Sequence, residues 1–231
     1  MQRAGIAPGA VGEVVGAGRN AGTLQSALEL GVIDRYSTDI AEAARGADIV
    51  VLSVPLLAMR GVFEQLLPAI HTGMIITDVG SAKASVIADA RAVLGARCAQ
   101  FVPGHPIAGT ERSGPEAAFA QLFDARRVII TPQSDNAPED IARITAMWRA
   151  AGAEVESMSP SHHDHVLAAT SHLPHLLAFA LVESLARMEE RHEVFRYAAG
   201  GFRDFTRIAA SDPTMWRDIA LANADEIKAM P

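Results

Sequence analysis

The chain has 231 residues, 49% of them apolar, enough to bury one large core or two modest ones and too hydrophobic for a disordered tail. A formal charge of -7 with no dense Lys/Arg run offers no positive stripe, so neither nucleic acid nor a membrane surface is an expected partner. The single cysteine, Cys98, excludes an internal disulfide. No apolar stretch is read as reaching the roughly 18 residues that span a bilayer, so the cytoplasm is the expected compartment.

Residues 1–12 lack the apolar core and basic leader of a secretion signal and read as part of the fold or its cut edge. From there, β-branched runs alternate with amphipathic stretches. Strands are expected at 13–16, 48–54, 74–78, 100–103, 127–131 and 153–158, and helices at 21–30, 56–67, 81–94 and 138–151. Such alternation implies a parallel α/β sheet of Rossmann type, with ligands received at the strand C-termini. After residue 159 the strand signal stops and a long apolar, helix-rich stretch begins, with Ser159 or Ser161 able to cap its first helix. The expected division is therefore a nucleotide-binding domain over 1–159 and a helical domain over 160–231. Residues 168–188 are apolar nearly all round, as in a buried helix, or one packed on a second subunit.

The segment Gly16-Ala17-Gly18-Arg19-Asn20-Ala21-Gly22 carries two competing readings. As a GxGxxxG turn it is a weak phosphate loop. As the end of a second strand it sits where such enzymes read the ribose, and Arg19 would suit a 2'-phosphate. Thr77-Asp78-Val79-Gly80-Ser81-Ala82-Lys83 ends a strand and opens a helix, and Ser81 reads first as the helix cap. Gly104-His105-Pro106-Ile107-Ala108-Gly109-Thr110-Glu111 sets an imidazole in a rigid loop after a strand, where general acid or base work near neutral pH is feasible. A turn-capping histidine is the plainer alternative.

Five of the eight histidines fall within residues 162–175, which invites a metal site. The spacing lacks HExxH, a thiolate or an obvious carboxylate, so a helix start with one or two pocket-facing imidazoles is preferred. Gly200-Gly201-Phe202-Arg203-Asp204-Phe205-Thr206-Arg207 and Ser211-Asp212-Pro213-Thr214-Met215-Trp216-Arg217-Asp218 concentrate guanidinium, carboxylate and aromatic groups. Their arginines serve either internal ion pairs or a substrate carboxylate.

Three strings in this order, GHPIAGTE with Ser113-Gly114, SPxxHD followed by SHLPH, and GGFRDFTRIAxSDPxMWRDI, resemble the prephenate dehydrogenase family over nearly the whole chain. The resemblance implies a Rossmann-type domain and a helical dimerisation domain with the active site between them. It implies oxidation of prephenate or L-arogenate by NAD or NADP in tyrosine biosynthesis. Hydride leaves the hydroxyl-bearing ring carbon while the ring carboxylate is lost as CO2, giving 4-hydroxyphenylpyruvate or tyrosine. His105 matches the family's catalytic histidine and Ser81 the serine that orients it. Arg207 matches the arginine that holds the substrate carboxylate, and His175 a second pocket histidine, with Thr110, Trp216 and Asp204 around them. Arg19, Ser53, Val54, Pro55, Gly80 and Ser81 fall at cofactor-contacting positions.

Two departures accompany the resemblance. Family members begin with a strand, a GxGxxG turn and a full helix, whereas residues 1–5 match the end of that helix, so the chain is expected to lack the pyrophosphate loop. Relatives also continue past the position of Asn223 with further helix. A truncated or non-catalytic dimerising protein of the same fold is the alternative function.

Overall fold

The structure is a computed structural model that describes residues 11–109 and 114–230. In chain order these form β1 (Val15–Ala17), α1 (Ala21–Glu29), β2 (Arg35–Ser37), α2 (Ile40–Ala44), β3 (Ile49–Leu52), α3 (Met59–Leu66), β4 (Ile75–Asp78) and α4 (Ala84–Leu94). Next come β5 (Gly104–Pro106), β6 (Arg127–Ile130), α5 (Pro138–Ala150) and β7 (Glu154–Ser157). The helical part follows as α6 (Pro160–Leu167), α7 (Leu173–Ala186), α8 (Arg191–Arg196), α9 (Gly200–Thr206), α10 (Pro213–Ala222) and α11 (Ala224–Ala229).

The pairs β1–β2, β3–β4 and β6–β7 are parallel, as strand–helix alternation requires. The segment leading into β5 bridges β4 at Phe101 and then pairs antiparallel with β6. Of the strand expected at 100–103, only Phe101 bridges β4, and the strand itself lies at Gly104–Pro106, inside the expected histidine loop. Gly104 is the residue that permits this, since a Cβ there would lie 3.1 Å from the Asp78 carbonyl oxygen. The sheet is interrupted between β1 and β3, whose remaining edges have no partner strand among the described residues.

Alternate residues of β4 feed opposite faces of the sheet. Ile76 packs with Met59, Phe63, Leu66 and Phe101 beneath α3 and α4, while Ile75 packs with Val128, Ile144 and Trp148 beneath α5. The first of these cores extends into the helical part, because Trp216 and Ile219 of α10 belong to it. One apolar core therefore joins the two halves of the chain.

Ser159 caps α6 by accepting from the His162 amide. From Pro160 to Ala186 the helix runs 27 residues, interrupted by a π-turn at Ala168–His172. Pro174, which has no N–H for a carbonyl one turn earlier, accounts for the break in the ladder. This run is long and apolar enough to cross a membrane by length and composition, contrary to the sequence expectation. Its first half, however, carries His163, Asp164 and His172 buried against the nucleotide-binding half. The expectation that 168–188 is a buried helix also needs correction within one chain. Only Ala178 of α7 is buried, and Leu177 is 53% exposed.

Candidate active site

The site assembles where the ends of β4 and β5 meet the start of α6. Asp78, the last residue of β4, is fully buried and accepts from the Gly104 amide (3.0 Å), the Gly80 amide (2.9 Å) and Lys83 Nζ (2.5 Å). Lys83, also without solvent exposure, donates in addition to the Gly104 carbonyl at 2.7 Å. The ion pair thus ties β4, the start of α4 and the strand that carries the candidate base. Burial pulls the Lys83 ammonium below its usual pKa, against the opposing pull of Asp78.

His105 is 7% exposed, and its Nδ1 lies 2.9 Å from Nε2 of His163. His163 Nδ1 in turn lies 2.8 Å from Asp164 Oδ1. Asp164 also accepts the backbone N–H groups of Lys83 and Ala84, each at 2.8 Å, and so caps α4 from the opposite domain. This corrects the expectation that Ser81 caps that helix: α4 begins at Ala84, and its free amides are taken by a carboxylate some eighty residues away in sequence. Burial pushes the Asp164 carboxyl up, but the hydrogen bonds from His163, Ala84 and Lys83 outweigh it and hold it below the usual carboxylate value. Burial, then the Lys83 cation and the neighbouring His163 and His172, hold His105 well below the ordinary 6.5, so its imidazole is neutral at physiological pH.

His172, on the π-turn, lies beside this chain. Asn223 Nδ2 is 3.0 Å from its Nδ1 and also donates to the Asp164 carbonyl at 2.8 Å. Its Nε2 faces the Ser81 carbonyl without a well-aligned hydrogen bond. Burial lowers the His172 pKa to about 4. Ser81 therefore stands close to the site; its hydroxyl makes no hydrogen bond among the described residues, and the side chain within hydrogen-bond distance of the His105 ring is that of His163.

Beyond His172 lie the residues expected to hold substrate. Trp216 of α10 is 6.4 Å from the His172 ring, centroid to centroid, and stacks on His175 at 3.5 Å with an interplanar angle of 14°. His175 Nδ1 is held by the Ser171 carbonyl at 2.8 Å, which leaves Nε2 for a ligand. Burial and the nearby Arg207 both lower the His175 pKa, with the Ser171 carbonyl opposing them, so the guanidinium is close enough to act on that ring. Trp216 Nε1 and His172 Nε2 are buried without a hydrogen-bond partner, and such orphaned groups suit a polar ligand or water. Asp204, in α9, is exposed and joins none of these contacts. Thr110, with Glu111 and Ser113, lies outside the described residues.

Among the expected cofactor residues, Ser53, Val54 and Pro55 leave the C-terminal end of β3, and Gly80 and Ser81 leave that of β4 beside it. Ser53 and Pro55 are exposed on that edge, which fits a dinucleotide laid across the strand ends. Gly80 is buried, since a Cβ there would lie 2.7 Å from Leu56 and 2.8 Å from Asp78, so the chain's own packing requires this glycine. Arg19 is exposed after β1. The phosphate-loop reading of residues 16–22 loses support. A Cβ on Gly16 would meet Ile33 at 2.6 Å, and the Asn20 side chain already accepts the Thr23 amide at the start of α1. Among the described residues, no group of three or more His, Cys, Asp or Glu side chains is arranged to hold a metal.

Family models place these elements. Residues 7–157 match the nucleotide-binding domain of prephenate dehydrogenase, and residues 159–231 match its dimerisation domain. The chain belongs to the prephenate dehydrogenase family. It is 46% identical over 200 residues to a cyclohexadienyl dehydrogenase of Zymomonas mobilis, covering 86% of this chain and 67% of that one. It is 40% identical over 207 residues to a prephenate dehydrogenase of Bacillus subtilis, covering 87% of this chain and 55% of that one. The chain thus spans about half to two thirds of the length of these relatives. Among solved structures, prephenate dehydrogenase from Aquifex aeolicus in complex with hydroxyphenyl propionate and NAD+ superposes with a TM-score of 0.87 at 39% identity, covering 95% of this chain and 77% of that one. Arogenate dehydrogenase from Synechocystis superposes at 0.75 with 27% identity, covering 93% and 76%.

The sequence singled out His105, Ser81, His175, Trp216 and Arg207 but not His163, Asp164 or Asn223. His163 and Asp164 stand in plain view in the histidine-rich run, where pairing across domains cannot be read from spacing.

Proposed function

We propose that the chain oxidatively decarboxylates prephenate or L-arogenate with NAD or NADP. The observation that carries this reading is the neutral, buried His105, held by a second imidazole and flanked by the His172, Trp216, His175 and Arg207 group. A nicotinamide at the β3–β4 edge supplies the hydride acceptor.

His105 accepts the ring hydroxyl proton as hydride leaves the same carbon; a neutral imidazole beside the cationic Lys83 is suited to accept rather than donate. Arg207 holds a substrate carboxylate, the role for which a permanently charged guanidinium is suited. His175, fixed on Trp216, offers Nε2 to the same ligand. Ser53, Val54, Pro55, Gly80 and Ser81 border the nicotinamide end, and Arg19 the ribose end. We assign Thr110 and Asp204 to substrate binding from the family match alone. The domain boundary is set at Pro160, with the active site in the cleft it creates. A second copy covers the apolar face of α7, making a homodimer, and the single buried thiol of Cys98 suits the cytoplasm.

The test is reduced-cofactor absorbance with purified chain, prephenate or arogenate, and either nicotinamide cofactor. Turnover is expected, with a loss of about a thousandfold in His105→Asn; full turnover in that variant would reject the assignment of the base. Arg19→Asp is expected to raise the KM for NADP about tenfold relative to that for NAD, and an unchanged ratio would remove Arg19 from the cofactor site.

A further inference from the structure

We infer that His163 and Asp164 form, with His105, a directional proton relay that fixes which nitrogen of His105 is the base and receives the positive charge generated in turnover. The inference rests on the dehydrogenase reading for its chemistry and on hydrogen-bond geometry for its direction.

The direction follows from the acceptor end. Asp164 takes three donors: the amides of Lys83 and Ala84 and the ring of His163. An ionised carboxylate only accepts, so the His163 proton sits on Nδ1. In neutral His163 the remaining Nε2 is then a lone pair. The atom 2.9 Å from it, Nδ1 of His105, must supply the proton for that contact. His105 is thereby held as the Nδ1–H tautomer, with its Nε2 lone pair turned to the substrate. Without His163, no described side chain holds the proton on Nδ1, and the ring returns to the Nε2–H form that a free neutral histidine prefers.

The same chain has a use during the reaction. The substrate O–H bond breaks and a bond forms between that proton and His105 Nε2, while the hydride carries the C–H electron pair to the nicotinamide. The Nδ1–H bond of His105 then breaks and a bond forms between that proton and His163 Nε2. The product is a neutral His105 and a His163 imidazolium 2.8 Å from the Asp164 carboxylate. The charge has moved next to an anion, which favours the transfer. Asp164 remains ionised throughout and its amide contacts persist. Because those contacts cap α4 from the other domain, the geometry of the relay depends on the domains being docked.

His163 is therefore a positioning residue, and two readouts separate that role from a structural one. In NMR of the unliganded chain with isotope-labelled histidine nitrogens, His105 is expected as the Nδ1–H tautomer. In His163→Leu that signal should give way to the Nε2–H form. His163→Gln retains an acceptor for Nδ1–H but takes no proton, so it should keep the tautomer. In turnover, His163→Leu should lower kcat about a hundredfold to a thousandfold with KM within about threefold, and His163→Gln should recover part of that loss. A wild-type chain with His105 in the Nε2–H form overturns the relay, as does wild-type kcat in His163→Leu. The tautomer measurement needs no substrate. A chain inactive on both substrates yet carrying a His163-dependent Nδ1–H tautomer would reject the dehydrogenase reading and keep the hydrogen-bond direction.

Discussion

The junction between the domains and the outer face of the helical domain invert the usual arrangement in opposite ways. At the junction, Lys83, Asp78, His163 and Asp164 are buried to between 0% and 2% exposure. Each is hydrogen-bonded, several to more than one partner. In the helical domain, Leu177 and Leu181 of α7 are exposed, as are Phe195, Tyr197 and Phe205. A buried polar cluster is costly unless every member is paired, and such completeness marks a place where chemistry needs fixed groups. An exposed apolar face is costly unless something covers it, and it marks a partner. The two regions therefore carry different information, one about reaction and one about assembly, and changes in them should have different consequences.

The largest effect on folding is expected from the centre of the junction. Lys83→Met keeps the length of the side chain but leaves the Asp78 carboxylate buried without its cation and the Gly104 carbonyl without its donor. About 3–5 kcal/mol of stability should be lost, measured by urea unfolding. A loss below about 1 kcal/mol would mean that water or a rotated side chain replaces the ammonium, and the junction would not be a fixed frame.

Acid should act on the same region with a somewhat smaller effect. His172 binds its proton at about 4 in the folded chain, against the ordinary 6.5 once unfolded. Between those values the unfolded chain binds more protons. The stability gained by keeping His172 neutral is thus complete above about pH 6.5 and is lost as the pH falls towards 4, about 3 kcal/mol in all. His105, also lowered, adds to the loss in the same direction. Asp164, held below the usual carboxylate value, keeps its contribution until the pH falls below 3.8. Urea midpoints measured from neutral to acid pH should follow this slope, and His172→Gln should flatten it. An unchanged slope in that variant would assign the acid sensitivity elsewhere.

What the sequence conveys divides along the same line. Strand–helix alternation yields the parallel pairs and most helices, because β-branched runs and amphipathic spacing are local signals. The three-residue β2 (Arg35–Ser37) escapes such a reading, since so short a run has too little periodicity to register. The position of His105 is legible, but its strand reads locally as a loop. β5 pairs with β6 where Gly104 also closely approaches Asp78 of β4, contacts that composition does not encode. Ser81 is the local candidate for a helix start, and the cap comes instead from Asp164 in the other domain. Contacts across some eighty residues have no local signature, so the relay is invisible in sequence while its members can be named individually. The apolar character of α7 is legible in full; its exposure is not, because hydropathy reports a need for cover without saying which surface provides it.

The smallest effect on the fold, and the sharpest test of the contrast, is expected on that outer face. Leu177→Glu with Leu181→Glu removes apolar surface that the single chain does not bury, since these side chains are 53% and 37% exposed. Stability of the monomer should change by no more than about 0.5 kcal/mol, the range usual for surface positions. The match of this region to a dimerisation domain makes the second copy the natural cover, and the pair of charges would then be buried at an interface without partners. Sedimentation should show the wild-type chain as a dimer and the variant as a monomer, and the unfolding midpoint of the wild type alone should rise with protein concentration. A variant that remains dimeric would move the interface to another face of the helical domain. A variant that unfolds would show that α7 is held by its own chain more tightly than its exposure allows.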